Sequence, residues 1–212
     1  MRDVIGKSMF MVWVFSLAVA GLGQATYRIA KGHLLIGHAR VSQRITASGG
    51  KFTELVMDFK RNGQELEVRT ESTLDPSGAP VRQVETVTPE GKPPLVQYIV
   101  TYDAKGAHVV TKSPDGPKNA YIQASEGSVF GDPSQFWFLK TRPKLGESCT
   151  NEVFTPDTMT WQRSETTFVG EIDGRHRIKT VIGDRTVDTY LDDTGYIIRL
   201  TDSTGFRMVR DR

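Results

Sequence analysis

Turn signals break this chain at short intervals, and the runs between them alternate apolar with polar residues. The clearest instance is Phe59-Lys60-Arg61-Asn62-Gly63-Gln64-Glu65-Leu66-Glu67-Val68. Asn-Gly between alternating runs predicts a hairpin, because both central residues of a type I′ turn take positive φ and these two tolerate it best. A two-residue loop also fixes the register: Phe59 faces Leu66, Met57 faces Val68 and Leu55 faces Thr70, so the apolar residues of both strands share one side. The other side carries Lys60 against Glu65, with Asp58 diagonal to Arg69. It reads as a solvated face, on which each such pair contributes roughly 0.2–1 kcal/mol. The same register sets Asp58 against Glu67 and Glu54 against Glu71, two unfavourable pairings that Lys60 and Arg69 are placed to screen.

The design recurs at Asp75-Pro76-Ser77-Gly78, Pro89-Glu90-Gly91-Lys92, Asp103-Ala104-Lys105-Gly106, Pro114-Asp115-Gly116, Asp173-Gly174, Gly183-Asp184, Asp192-Asp193-Thr194-Gly195 and Ser203-Thr204-Gly205. Between these turns lie β-branched and aromatic runs. The expectation is an all-β chain: an antiparallel meander of roughly twelve strands, curled into a half-barrel or open barrel, since a flat sheet of that size is unusual. One segment departs from the pattern. Gly131-Asp132-Pro133-Ser134-Gln135-Phe136-Trp137-Phe138-Leu139 predicts one short helix near residues 132–140, with Asp132 as N-cap, Pro133 at the first helical position and Pro143 barring continuation. Its consecutive large apolar side chains cannot all face water. They form either a plug for one end of the sheet's apolar side or a movable lid, and Phe136, Trp137 and Phe138 are the candidate ligand-binding residues.

The first 25 residues carry Arg2 and Lys7, an uncharged run from Ser8 to Leu22, and then Gly23-Gln24-Ala25. That is the layout of an export signal cleaved after Ala25, and it assigns residues 1–25 to the signal and 26–212 to a single β-rich domain. A retained anchor is the competing reading, but the run is shorter than the roughly 20 apolar residues that cross a bilayer. Removal takes Arg2, Lys7 and Asp3 with it, leaving 25 basic against 24 acidic residues. Such a balance generates no field for nucleic acid or an acidic membrane. Cys149 is the sole cysteine, so no internal disulfide is available and the core must hold the domain together.

Asp193-Thr194-Gly195 spells the triplet of aspartic proteases, but that chemistry needs two such aspartates, and here the four residues from Asp192 suit a turn ending in glycine. His33 and His38 are an odd number apart and point to opposite faces of a straight strand, and neither His108 nor His176 has a histidine or cysteine nearby in sequence. No metal site, cofactor loop or nucleophile elbow is expected. Glu65, Glu67 and Glu71 read as solvated strand surface.

Taken together, Tyr27 to Val41, Met57 to Val81, Lys144 to Glu171 and Thr189 to Arg210 resemble exported bacterial β-domains of unknown function. Domains of that kind resemble the β-rich part that precedes transglutaminase-like catalytic domains, and their fold is similar to the half-barrels of lipoprotein carriers. The resemblance implies no catalytic residue here. The expected function is therefore a non-catalytic domain, exported to the periplasm, envelope or medium, that binds an apolar or amphipathic ligand or an envelope protein on its concave face. An accessory scaffold acting only through protein contacts is the alternative, and a hydrolase whose site is assembled from Asp and His residues of distant strands, tested by substituting His108 or His176, is the third reading.

Overall fold

The computed structural model describes residues 23–61, 63–130 and 133–211, with only the backbone of 133–136. Most of the segment read as an export signal, the turn residue Asn62, the N-cap Asp132 and the side chain of Phe136 lie outside that description. The meander begins with β1 (Gly23–Lys31), β2 (Leu34–Ile45), β3 (Lys51–Arg61), β4 (Gln64–Leu74), β5 (Pro80–Pro89), β6 (Val96–Asp103), β7 (Gly106–Lys112) and β8 (Lys118–Gln123). Helix α1 (Pro133–Thr141) interrupts it, and β9 (Ser148–Thr155), β10 (Thr160–Ile172), β11 (Arg175–Ile182), β12 (Arg185–Leu191), β13 (Ile197–Asp202) and β14 (Phe206–Arg210) complete it.

Among the described residues these are fourteen strands rather than twelve. The excess comes from short or weakly patterned strands: β14 has five residues, and β8 buries almost none of its side chains. All fourteen join one antiparallel sheet in the order β8-β7-β6-β5-β4-β3-β2-β1-β14-β13-β12-β11-β10-β9. The first and last strands of the chain therefore pair in the middle of the sheet, Tyr27 opposite Arg210 and Ile29 opposite Met208. The break falls instead mid-chain, between β8 and β9, where the helix is inserted.

The sheet rolls up without closing. Tyr102 of β6 meets Phe154 of β9 at 6.4 Å and Trp161 of β10 at 6.1 Å between ring centroids, and the Trp161 indole N–H donates to the Ile122 carbonyl of β8 at 3.1 Å. By register Trp161 faces Phe154, on the side of β9 and β10 opposite to Ser164 and Thr166. The β6–β8 end thus lies over the outer face of the β9–β10 end, and Val100, Ala107, Val109 and Phe154 form a small apolar cluster in the overlap. The main core is separate and larger. It runs from Tyr27, Ile29, Val41 and Met57 to Ile178, Leu191 and Leu200, all inward positions of paired strands.

The β3–β4 register matches the sequence reading residue for residue, Phe59 opposite Leu66, Met57 opposite Val68 and Leu55 opposite Thr70. The two like-charge pairs are present as well, but Arg69 answers both, reaching Glu54 at 3.2 Å and Glu67 at 3.7 Å. Asp58 is approached not by Arg69 but by Arg40 of β2, at 3.9 Å. A second local rule emerges at Asp75-Pro76-Ser77-Gly78, Asp192-Asp193-Thr194-Gly195 and Asp202-Ser203-Thr204-Gly205. In each, one carboxylate oxygen of the first aspartate accepts from the backbone N–H and hydroxyl of the Ser or Thr two positions on, and from the N–H four positions on. The closing glycine takes φ between 83° and 92°. The protease-like triplet is therefore part of a structural turn, and Asp192 spends one carboxylate oxygen inside it while the other faces Arg210 at 3.7 Å.

Candidate functional site

Because every pair of neighbouring strands in the sheet is antiparallel, successive turns alternate between the two ends of the rolled sheet. The β10–β11 and β12–β13 turns share one end, and α1 covers it. Phe138 is 3% exposed and belongs to the main core, tilted against Phe168 at 5.6 Å and His176 at 4.9 Å between centroids. Leu139 fits so closely over Gly195 that a Cβ there would lie 2.6 Å from a Leu139 methyl carbon. The helix stops at Thr141. Arg142 adopts a left-handed φ of 45°, its N–H returns to the Phe138 carbonyl at 2.9 Å, and its guanidinium lies over the Phe138 ring while donating to the Asp193 carbonyl. Of the three candidate ligand-binding residues, Phe138 is thus packed into the core, Trp137 is half-buried, and the Phe136 side chain is outside the described residues.

The β1–β2, β3–β4 and β5–β6 turns meet at the other end, around an open cleft of about 680 Å³. Ile36, Gly37, Phe59, Leu66 and Pro89 line it, with Asp58, Lys60, Glu65, Glu67, Glu90 and Lys92 around them. Sequence reasoning did not find this place, because its key residue is a register defect. Ile29 faces Gly37 and Ala30 faces Leu35, so Ile36 is the extra residue of a β-bulge, a device that bends the strand and re-aims a side chain. Gly37 is needed beside it: a Cβ there would collide with the backbone of Asp58 and Phe59. Leu34 and Leu35 on the same hairpin, and Leu95 in the β5–β6 turn, stand exposed at this end. The cleft continues outward between Lys60, Glu65, Glu90 and Lys92 into a shallower hollow of about 540 Å³.

A third cluster lies inside. Glu85 of β5 points inward, directly opposite Thr70 of β4 and Tyr98 of β6, and is 8% exposed. Burial, and then the carboxylate of Asp157 from the β9–β10 turn, push its carboxyl up to about 8. Asp157 is also raised by burial, against the pull of its own turn amides and Arg185. Burial beside these two acids pushes the Tyr98 phenol up to about 12, and burial beside Glu85 raises Tyr102 further still; the Tyr102 hydroxyl donates to Gln83 at 3.0 Å.

Two histidines find aspartate partners that the sequence did not reveal. His176 lies 3.0 Å from Asp193, and His108 lies 3.2 Å from Asp103, whose other oxygen accepts from the Tyr121 hydroxyl. Each pairs with a turn aspartate that anchors or flanks a hairpin. Cys149 is half-buried at the start of β9.

The fold defines the class: a β-barrel-like domain built from one open antiparallel sheet. Among solved structures, the chain is similar to the crystal structure of a β-barrel-like protein of the domain of unknown function DUF1849 from Brucella abortus, with a TM-score of 0.65, 12% identity, and coverage of 89% of this chain and 95% of that one. A DUF1089 family protein from Pseudomonas aeruginosa has a TM-score of 0.44 at 12% identity, with coverage of 76% of this chain and 87% of that one, a distance at which nothing further follows. No family model matches the sequence, and no curated protein is significantly similar to it. The first likeness agrees with the resemblance to β-domains of unknown function and establishes the shared architecture alone. No helix among the described residues is long and apolar enough to cross a membrane.

Proposed function

We propose that this chain is an exported, non-catalytic β-domain that binds one amphipathic molecule in the cleft at the β1–β2, β3–β4 and β5–β6 end. The observation that carries the reading is the lining of that cleft, which combines the apolar residues Ile36, Phe59, Leu66 and Pro89 with four carboxylates and two lysines. Its size lies within the range of about 300–1,000 Å³ usual for small-molecule sites. An acyl or similar chain suits the apolar part of the lining, and a zwitterionic or cationic head suits its charged part, in which acids outnumber lysines. The carrier analogy points the same way, as an analogy of fold. Export rests on the basic, apolar and small-residue succession that ends at Ala25. Cleavage there would remove Gly23 to Ala25, which pair with Val41 to Gln43, and would leave every residue that pairs with β14.

The test is uptake of fluorescently labelled lysophosphatidylcholine, with a labelled fatty acid as the anionic comparison. Wild-type protein and Trp137→Ala should bind the zwitterionic probe alike, and Ile36→Glu should lose it. Absence of binding by wild type removes the proposal, and loss in Trp137→Ala alone moves the ligand to the helix end. One observation favours a scaffold instead: Phe138 and Leu139 are packed tightly, so that end offers a closed surface for protein contacts. Co-purification of an envelope protein that survives Ile36→Glu would support that second reading.

A further inference from the structure

The near-even charge of the whole chain averages over faces that are not even. On β11, β12, β13, β14 and β1 the inward positions carry Ile178, Thr189, Leu200, Met208 and Ile29, all buried, so the alternate positions form the outer face of the roll. Two continuous rows cross that face as far as β2. Strand pairing sets Arg177 beside Tyr190, Tyr190 beside Arg199, Arg199 beside Val209, Val209 beside Arg28 and Arg28 beside His38. Nearer the cleft end, the second row runs through Lys179, Asp188, Thr201, Arg207, Ala30 and Leu35. Arg177, Arg199, Arg28, Lys179 and Arg207 thus share the two rows with a single aspartate. The acids stand further on, where Glu54, Asp58, Glu67 and Glu71 face outward on β3 and β4.

A solvated strand face interleaves the two signs, as Arg69 does between Glu54 and Glu67. In the two rows like charges are neighbours instead. Arg207 is diagonal to both Arg28 and Arg199, at the roughly 7–8 Å of diagonal strand positions. The acids within reach are already taken, Asp188 by Arg177 at 2.8 Å and Asp211 by Arg28 at 3.1 Å. Lys179 and Arg207, both exposed, have no ion pair with any acid among the described residues. We propose that this face docks on a bilayer containing anionic phospholipid, whose phosphates offset the repulsion among the cations. The apolar neighbours select a bilayer over a soluble polyanion. Leu35 ends the second row at 59% exposed, Leu34 beside it is 73% exposed, and Val181, the next outward residue after Lys179 on β11, is exposed as well. Apolar side chains at the margin of a basic patch add acyl-boundary burial to the attraction of the head groups, and a polymer in water offers them nothing. The surface is separate from the cleft and does not need it filled.

The experiment is co-sedimentation of full-length protein with vesicles of phosphatidylcholine alone, or with a third of the lipid replaced by phosphatidylglycerol, at low and at physiological ionic strength. Residues 1–25 are common to every variant, so their own affinity for lipid cancels in the comparison. Wild type should prefer the phosphatidylglycerol vesicles by about tenfold or more and lose part of that preference as salt is added. Each basic residue near an anionic surface contributes about fivefold, so Lys179→Gln/Arg207→Gln should bind those vesicles roughly 25-fold more weakly. Arg82→Gln removes the same charge from an exposed outward position of β5, outside the rows, and should lose less than about twofold. Leu34→Ser/Leu35→Ser should weaken binding by a similar factor at both ionic strengths, because the apolar contribution is not screened. No preference for phosphatidylglycerol by wild type, no loss in Lys179→Gln/Arg207→Gln, or an equal loss in Arg82→Gln would overturn the assignment. Tight binding of soluble dextran sulfate, with no effect of the leucine substitutions on vesicles, would overturn it too and give the face to an anionic polymer.

Discussion

The buried carboxyl of Glu85 gives the protein a dependence on pH that can be worked out in advance. Its pKa is raised from 4.5 to about 8 in the folded chain, chiefly by burial. Between those values the folded state holds a proton that the unfolded state has released, so stability falls as pH rises. It is greatest below 4.5, declines through neutral pH and levels off above 8. The shift corresponds to roughly 5 kcal/mol at about 1.4 kcal/mol per pH unit, a large part of the 5–15 kcal/mol typical of a domain. Glu85→Gln keeps the shape and removes the ionisation, so it should match wild type near pH 4.5 and exceed it at pH 9. The assay is urea unfolding at pH 5, 7 and 9 in the presence of chelator. With a slope of about 2–3 kcal/mol per molar urea, the roughly 4 kcal/mol lost between pH 5 and pH 9 should lower the wild-type midpoint by roughly 1.5 M. The Asp157 carboxyl, raised in the same direction, leaves a smaller residual slope in the variant. A wild-type midpoint independent of pH, or an identical decline in Glu85→Gln, would refute the reasoning.

Two other substitutions address the ends of the sheet. Phe138→Ala removes a core ring that closes the helix end and should destabilise by about 3–5 kcal/mol in urea unfolding, without changing the binding of an amphipathic probe. Trp161→Phe keeps the apolar contact across the overlap but loses the indole bond to the Ile122 carbonyl, at a cost of about 1 kcal/mol, and should speed amide exchange in β8 more than in β3 or β4.

What could be read from the sequence was whatever depends on neighbours along the chain. Asn62-Gly63 sets the β3–β4 register by itself, and the remaining turn residues mark where strands reverse, so the antiparallel class and the short helix follow. Pro133 and Pro143 bracket that helix, which spans Pro133–Thr141. What could not be read depends on meetings between distant segments. The pairing of β1 with β14 joins the two ends of the chain and leaves no local pattern, and it is what moves the break to the helix region. Arg40 reaching Asp58 requires the β2–β3 register, which the Thr46 to Gly50 turn does not announce as Asn-Gly does. The bulge at Ile36 is one extra residue within Leu34-Leu35-Ile36-Gly37, indistinguishable in sequence from continued strand. Glu85 was hidden because Val84 is buried too, so β5 lacks a clean alternation to say which face is inner. Phe136, Trp137 and Phe138 drew notice by their bulk, and bulk alone marks a core contact as readily as a ligand.

The cleft is the claim on which the functional account turns, and backbone amide shifts in an isotope-labelled sample report on it directly. Titration with lysophosphatidylcholine below its micelle concentration should move the resonances of Leu35, Ile36, Gly37, Phe59, Leu66 and Gly91 and leave those of Trp137, Phe138 and His176 in place. Shifts gathered around Trp137 and His176, or none at all, would contradict it.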